Sequence, residues 1–338
     1  ARAARRAGMR YIVFTARHHD GFSLYDAKGL SSFDAPHSAA GRDLVREFVD
    51  ACREEGIAPF LYHTTLDLNR EEFSSDFPSY LGYLRSSVEI LCTEYGRLGG
   101  LWFDGNWSRK DADWEEEKLY SLIRKHQPDC IIVNNTGLDA LGQTGREEID
   151  SVTFEQSRPD GRRASVGGRH IASEMCCTMN RHWGRAENDL RFRSLPELIE
   201  NLCACRKNGA NYLLNVGPDG GGAIPPMESA MLDGLGRWVD ISGKDAIYRG
   251  RPCGIKGENK DFALSADGKT YFFVHDLPVN GAETVTRRFD GVEGKISSLR
   301  WTDSGEPVGF ELADGSLTLS TRGFGYGADT VVRVAAAD

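Results

Sequence analysis

The stretch "GRDLVREFVDACREEGIAPFLYH", residues 41–63, decides the fold class of this chain because it combines a helix with a strand. Five apolar residues in its first part share one helical face: Leu44, Val45, Phe48, Val49 and Cys52. Gly56 closes this helix, and the strand Ile57 to His63 follows at once. A helix that leads directly into a mostly apolar strand predicts an α/β protein with a parallel sheet.

The same pattern recurs along most of the chain. Six further strands are predicted at Tyr11–Thr15, Gly100–Phe103, Cys130–Asn134, Val152–Glu155, Ile171–Cys176 and Tyr212–Val216. Further helices are predicted at residues 80–95, 114–126 and 194–209, the last with a capping box formed by Ser194 and Glu197. The first residues read as the tail of a helix that ends at Gly8. We therefore expect a TIM-like (β/α)8 barrel that lacks its first strand.

The pattern changes after Asp245. Four segments alternate in the manner of strands between turn residues: "KTYFFVHDL" (269–277), "KISSLRW" (295–301), "GSLTLST" (315–321) and "DTVVRVAA" (329–336). They predict a small all-β domain after a linker at about Ile247–Gly257. The expected domains are therefore residues 1–246 for the barrel and 247–338 for the β domain.

Composition excludes several classes of function. The net charge of −9 and the isoelectric point of about 5.5 argue against nucleic acid or an anionic membrane as partner. No apolar run approaches the roughly 20 residues that cross a bilayer. The eight cysteines are too few for a disulfide scaffold, and their spacing does not suit zinc. Free thiols favour a cytoplasmic location, although a signal peptide before Ala1 would direct export; the oligomeric state stays open.

Polar residues close nearly every predicted strand. Active sites of (β/α)8 barrels lie at the carboxyl ends of the strands, so these residues are the candidates. They are His18, His19, Asp20, Tyr62, His63, Asp104, Asn134, Asn135, Glu155, Glu174 and Asn215.

The segment "LWFDGNW", residues 101–107, carries the most specific signal. Asp104 between Trp102 and Trp107 is typical of a catalytic carboxylate with aromatic walls for a sugar ring, although an ordinary strand-end turn is the alternative. Glu155 in "SVTFEQ", taken alone, fits a surface carboxylate. Together the two acids form the pair that glycoside hydrolysis needs.

The adjacent histidines His18 and His19 do not favour a metal site, because neighbouring residues on a strand point to opposite faces. Their ring nitrogens suit hydrogen bonds to the hydroxyl groups of a neutral polyol. Trp183 in "NRHWG" fits either an apolar platform for a ligand or a core aromatic.

Five segments together resemble the α-L-fucosidases of glycoside hydrolase family 29. They are "GMRYIVFTARHHDGFSLYDAK", "GRDLVREFVDACREEGIAPFLYH", "LWFDGNW", "MCCTMNRHWG" and "NGANYLLNVGPDGGGAIPP". The resemblance implies a (β/α)8-like barrel followed by a C-terminal β-sandwich. It also implies hydrolysis of terminal α-linked L-fucose from oligosaccharides or glycoconjugates, with retention of configuration and with no metal or organic cofactor.

The resemblance also implies roles for individual residues. Asp104 falls on the nucleophile, and Glu155 on the acid/base residue, with Glu174 as the alternative. The substrate contacts fall on His18, His19, on Tyr62 or His63, on Trp102 and on Trp183.

Two departures from the family pattern accompany these roles. Thr136 stands where the family carries an arginine, and the first barrel strand would lie upstream of Ala1, so we expect an incomplete chain. The alternatives are a fucose-binding protein without turnover and a retaining glycosidase for a related sugar such as an α-L-galactoside.

Overall fold

The computed structural model describes residues 1–144, 146–161, 164–279, 283–324 and 330–338. The chain divides into two compact units. The first comprises Ala1–Ser157 and Arg162–Cys176, and the second comprises Arg158–Gly161 and Cys177–Asp338. A domain boundary between residues 246 and 247 stays a prediction. Within the described ranges, no helix combines the length and apolar character that a membrane span requires.

The first unit is built on a curled parallel sheet with helices, a half-barrel. Its strands pair side by side in sequence order: β1 (Tyr11–Arg17), β2 (Ala58–Thr64), β3 (Gly100–Asp104), β4 (Ile131–Asn135), β5 (Ser151–Glu155) and β8 (Ala172–Thr178). Between β5 and β8 the chain forms a separate short hairpin of β6 (Ser165–Val166) and β7 (Arg169–His170). The helices of this unit are α1 (Arg2–Arg6), α2 (Leu44–Glu54), α3 (Glu72–Ser75), α4 (Phe77–Glu94) and α5 (Glu116–His126). The helix and strand predictions for this part of the chain are confirmed to within three residues at each end.

Alternation along the strands separates the core of this unit from its polar side chains. Leu61 on β2 and both Leu101 and Phe103 on β3 pack against apolar residues of α2, α4 and α5. The intervening side chains, among them Tyr62 and Trp102, point to the other face of the sheet, since successive side chains of a strand alternate. The hydrophobic core therefore lies on the helix side, and the opposite side of the sheet is free to carry a site.

The second unit contains α6 (Leu195–Lys207), β9 (Asn211–Asn215), α7 (Pro226–Ile241) and α8 (Lys244–Tyr248), followed by an eight-stranded antiparallel, sandwich-like sheet. The strands of that sheet are β10 (Arg251–Gly257), β11 (Phe262–Ala266), β12 (Lys269–His275), β13 (Thr284–Asp290), β14 (Leu299–Trp301), β15 (Gly309–Ala313), β16 (Ser316–Arg322) and β17 (Val332–Ala337). The predicted fold class is therefore confirmed. The prediction of a linker at Ile247–Gly257 is wrong, because β10 occupies most of that segment.

The capping box predicted at Ser194 is present at the start of α6. Ser194 Oγ accepts a hydrogen bond from the Glu197 backbone N–H, and Glu197 Oε2 accepts one from the Ser194 backbone N–H at 2.6 Å. The Ser194→Ala variant should lower the free energy of unfolding by about 1 kcal/mol, because the first turn of the helix loses an acceptor. Urea unfolding measures this loss, and Ser32→Ala, at an exposed position outside any helix, is the control. Equal stability of the two variants would contradict the prediction.

Candidate active site

The carboxyl ends of β2, β3 and β4 lie side by side. The strand register places Thr64 opposite Asp104, and Asp104 opposite Asn135. Residues opposite each other in a sheet point to the same face, so these three side chains share the face away from the helices. The end of β5 adds Glu155 to this edge.

Asp104 lies at the centre of this group. Tyr62 Oη donates to Asp104 Oδ2 at 2.9 Å, and Trp107 Nε1 donates to Oδ1 at 2.7 Å. His19 Nε2 lies 3.5 Å from Oδ2. Hydrogen bonds to both oxygens thus fix the orientation of the carboxylate. The Asp104 side chain is still 15% exposed, so a small ligand can reach it.

Asn135 connects the two carboxylates. Its Nδ2 donates to Asp104 Oδ1 at 3.3 Å and to Glu155 Oε2 at 2.8 Å. Two oxygens that share one donor at these distances lie at most 6.1 Å apart. Asp104 and Glu155 are therefore close enough to act on one bond between them.

Glu155 differs from Asp104 in its environment. Burial raises the pKa of the Glu155 carboxyl above its ordinary value, and the charge of Asp104 raises it further. The hydrogen bond from Asn135 opposes both effects and lowers the pKa. An acid with a raised pKa keeps its proton at higher pH, which suits a proton donor.

A row of rings lines one side of Asp104. The His18 ring stacks on Tyr62 with centroids 5.6 Å apart, and Tyr62 stacks on Trp102 at 5.5 Å. His19 lies beside this row, with its Nδ1 2.6 Å from Thr64 Oγ1 and its ring at 79° to the ring of Trp107. Burial, and then the neighbouring His18, lowers the pKa of His19.

The two histidines do not point to opposite faces as the sequence predicted. Their ring centroids lie only 4.1 Å apart. The alternation rule fails here because β1 ends at Arg17, and His18 begins a turn in which its carbonyl accepts from the Gly21 N–H. Within the described ranges, no group of three or more His, Cys, Asp or Glu side chains is arranged to hold a metal ion.

Glu174 lies beneath the aromatic row. Its Oε1 accepts from Trp102 Nε1 at 2.9 Å, and its Oε2 accepts from Tyr11 Oη. The residue is only 4% exposed, so its carboxylate supports Trp102 from within the unit. Its alternative role as acid/base residue stays a prediction, with less solvent access than Glu155 has.

The structure does not bring His63 to this group. His63 occupies the alternate position on β2 and faces α4, where its Nε2 lies 2.8 Å from Ser87 Oγ. Burial, with the charge of Arg17 next, lowers the pKa of His63 to about 3. Of the two alternatives Tyr62 and His63, only Tyr62 lies beside Asp104, because His63 is buried in the core on the helix side of the sheet.

Two further predicted residues lie elsewhere. Trp183 belongs to the second unit, where its carbonyl accepts from Asn215 Nδ2 at 2.7 Å. The residue is 43% exposed, so it is not a core aromatic, and its role as a sugar platform stays a prediction. Thr136, at the position of the family arginine, donates from Oγ1 to the Ala140 carbonyl at 2.7 Å.

Sequence reasoning missed the bridging role of Asn135. The sequence alone marks it only as one of several polar residues that close strands. Its position opposite Asp104 follows from the register of β3 and β4, which single-sequence patterns do not reveal.

Two carboxylates at the strand ends of a half-barrel, beside aromatic rings, are an arrangement typical of barrel proteins that act on carbohydrates. The sequence model of the alpha-L-fucosidase family matches residues 1–244, and the chain belongs to that family.

Individual relatives agree with this assignment. The tissue alpha-L-fucosidases of Macaca fascicularis and Homo sapiens are each 27% identical to the chain over 317 residues, which is 87% of this chain and 64% of theirs. The structure of alpha-L-fucosidase isoenzyme 1 from Paenibacillus thiaminolyticus superposes with a TM-score of 0.81 at 26% identity, covering 100% of this chain and 85% of that one. The chain thus spans less than two thirds of the length of these two curated relatives.

Proposed function

We propose that this protein is a retaining exo-glycosidase that removes terminal α-L-fucosyl residues from oligosaccharides or glycoconjugates. Membership of the alpha-L-fucosidase family supports the choice of sugar. The observation that carries the mechanism is the shared Asn135 donor, because it keeps Asp104 Oδ1 and Glu155 Oε2 at most 6.1 Å apart. Retaining glycosidases hold their two carboxyl groups about 5–5.5 Å apart, whereas inverting enzymes need about 6.5–9.5 Å to admit a water.

The reaction proceeds in two displacements. In the first, a carboxylate oxygen of Asp104 forms a bond to the anomeric carbon, while the bond from that carbon to the glycosidic oxygen breaks and Glu155 gives its proton to the leaving oxygen. In the second, the Glu155 carboxylate removes a proton from water, whose oxygen displaces Asp104 from the anomeric carbon. Two inversions at one carbon give net retention, and Glu155 ends protonated as it began.

The surrounding groups suit recognition of a deoxy sugar. The imidazoles of His18 and His19 offer ring nitrogens to hydroxyl groups, and Tyr62 and Trp102 form a firm wall behind Asp104.

Hydrolysis of an aryl α-L-fucoside tests this function. Proton NMR should detect α-L-fucose as the first product before it mutarotates. The assay is run on the 338-residue chain and on the full gene product that carries it, beside the aryl α-L-galactoside. Initial formation of β-L-fucose, faster turnover of the galactoside, or fucose binding without hydrolysis by either protein would each overturn the proposal.

The Glu155→Gln variant separates proton donation from nucleophilic attack. Activity on a substrate with a poor leaving group should fall by about 10²–10⁴-fold, since general acid catalysis supplies that much. An activated aryl fucoside should lose much less in its first step, and azide should restore turnover and yield fucosyl azide. Exposed Glu117→Gln is the matched control. Equal losses on both substrates would show that Glu155 is not the proton donor.

The pH profile offers a further check on Glu155. The acid must be protonated for the first displacement, so kcat/KM falls as the pH rises through its pKa in the free enzyme. Burial and Asp104 raise that pKa. The alkaline limb should therefore lie above the ordinary glutamate value of about 4.3.

A further inference from the structure

We propose that Asn135, held in one orientation by Thr153, is a positioning residue that keeps Asp104 and Glu155 together and favours the ionised form of Glu155. This inference rests on the proposed roles of these two carboxyl groups.

The orientation of the Asn135 amide is determined by its other contacts. Asn135 Oδ1 accepts from Thr153 Oγ1 at 2.7 Å and from the Gly137 backbone N–H at 3.3 Å. A backbone N–H can only donate, so the amide atom that faces it is the oxygen. The Nδ2 group must then face the carboxylates, and its two hydrogens match the two acceptor oxygens of Asp104 and Glu155.

Thr153 is suited to hold this amide. It is fully buried on β5, two residues before Glu155, so both side chains point to the same face of the sheet. The hydroxyl and the acid are thus part of one strand, while Asn135 lies on the neighbouring β4. The distance between donor and acid is therefore set by the pairing of two strands rather than by a loop.

The shared donor works against the repulsion between two acids. Like charges at this distance favour protonation of one member of the pair, and a hydrogen bond to a carboxylate favours its ionised form. The titratable groups around Glu155 are Asp104 on β3 and Tyr62 on β2. The paired strand β8 adds Glu174 and Cys176, of which Cys176 lies directly opposite Glu155 in register. Asn135 is the neutral donor that touches both members of the pair.

This contact serves the acid/base residue in both displacements. Glu155 must hold its proton in the first step and act as a carboxylate in the second. A donor that stays on Glu155 stabilises the carboxylate that forms when the proton leaves. Without it, Glu155 would hold its proton too firmly for the second step.

The Thr153→Val variant tests the inference because it removes the hydroxyl and keeps a branched side chain. The amide then loses its main anchor and can turn its oxygen towards the carboxylates. We expect the pKa of Glu155 to rise by about 0.5–1 unit, which moves the alkaline limb of kcat/KM to higher pH by the same amount. Thr153→Ser keeps the hydroxyl and should restore the wild-type limb.

Carbon NMR titration of glutamate-labelled protein measures the same pKa without turnover, with the Glu155 signal assigned by its loss in Glu155→Gln. Asn135→Ala is the second variant, since it removes the donor itself and should shift the signal in the same direction. A raised pKa in Thr153→Val and Asn135→Ala, but not in Thr153→Ser, supports the inference. Unchanged titration of Glu155 in folded Thr153→Val and Asn135→Ala overturns it.

The two measurements distinguish this inference from the proposed function. If the wild-type full gene product hydrolyses no fucoside, while the NMR shifts appear as expected, the function is wrong and the arrangement of the carboxyl pair stands. If hydrolysis is observed and no shift appears, the function stands and Asn135 is not the positioning residue.

Discussion

The Asp104→Asn variant is expected to lose fucoside hydrolysis by about 10⁴-fold or more in kcat, the scale on which enzymes lose turnover without their nucleophile. An amide nitrogen or oxygen does not form the glycosyl ester that the first displacement requires. The replacement has nearly the same shape, so the stacked rings of His18, Tyr62 and Trp102 should stay in place. Binding of L-fucose should therefore survive the loss of turnover.

Initial rates on an aryl α-L-fucoside measure the effect, and titration calorimetry with L-fucose measures binding. Asp111→Asn is the matched control, because Asp111 is an exposed acid a few residues along the same loop. Circular dichroism and thermal unfolding show whether both variants fold. A folded Asp104→Asn protein that keeps activity within about tenfold of the wild type would remove Asp104 from the mechanism.

The sequence singles out Asp104 because its local signal is specific, and the surroundings of Asp104 in the structure agree with that signal. A strand that ends in an acid between two tryptophans is recognisable without a structure, and the structure places Trp107 against that acid. The pairing of Asp104 with Asn135 required the register between β3 and β4. Register depends on contacts between distant segments, so it could not be predicted from either strand alone.

The choice between Tyr62 and His63 shows the same limit. Both residues lie near the carboxyl end of β2, and either could supply a polar group to a site. Only the face of the sheet distinguishes them: Tyr62 lies beside Trp102, whereas His63 packs behind the sheet against Ser87. A shift of the strand register by one residue would exchange these two environments.

The second unit was predicted less completely for a different reason. Helix α7 contains Gly234 and Gly236 and follows a loop rich in glycine and proline, so its propensity is weak. A Cβ atom at Gly234 would lie 2.7 Å from Leu195 Cδ2, so the glycine lets α7 pack closely against the Leu195 side chain of α6 without displacing it. Packing of this kind overrides local propensity and leaves little trace in the sequence.

The Arg17→Met variant is expected to have the largest effect on stability. Arg17 is 2% exposed and donates to the buried carboxylate of Asp67, while its Nε donates to the Gly21 carbonyl at 3.1 Å. Removal of one partner leaves Asp67 charged and buried, which typically costs about 3–5 kcal/mol. Urea unfolding of the protein measures this loss.

The exposed pair of Arg97 and Asp129 provides the control. Their nearest side-chain atoms are 3.5 Å apart and the Arg97 side chain is 83% exposed, so Arg97→Met should cost no more than about 1 kcal/mol. Equal losses in Arg17→Met and Arg97→Met would contradict the importance of the buried pair.

The buried pair also supports the candidate active site. Arg17 directly precedes His18 and His19, and the Leu68 N–H donates to the His19 carbonyl at 2.8 Å, next to Asp67. Loss of Arg17 should therefore loosen both loops and weaken fucose binding in the fraction that stays folded. In the double variant Arg17→Met/Asp67→Leu the unpaired charge is gone, so it should be more stable than Arg17→Met alone. A double variant that is less stable than Arg17→Met alone, as if the two substitutions acted independently, would contradict this prediction. Packing, rather than the buried charge, would then determine the effect of Arg17.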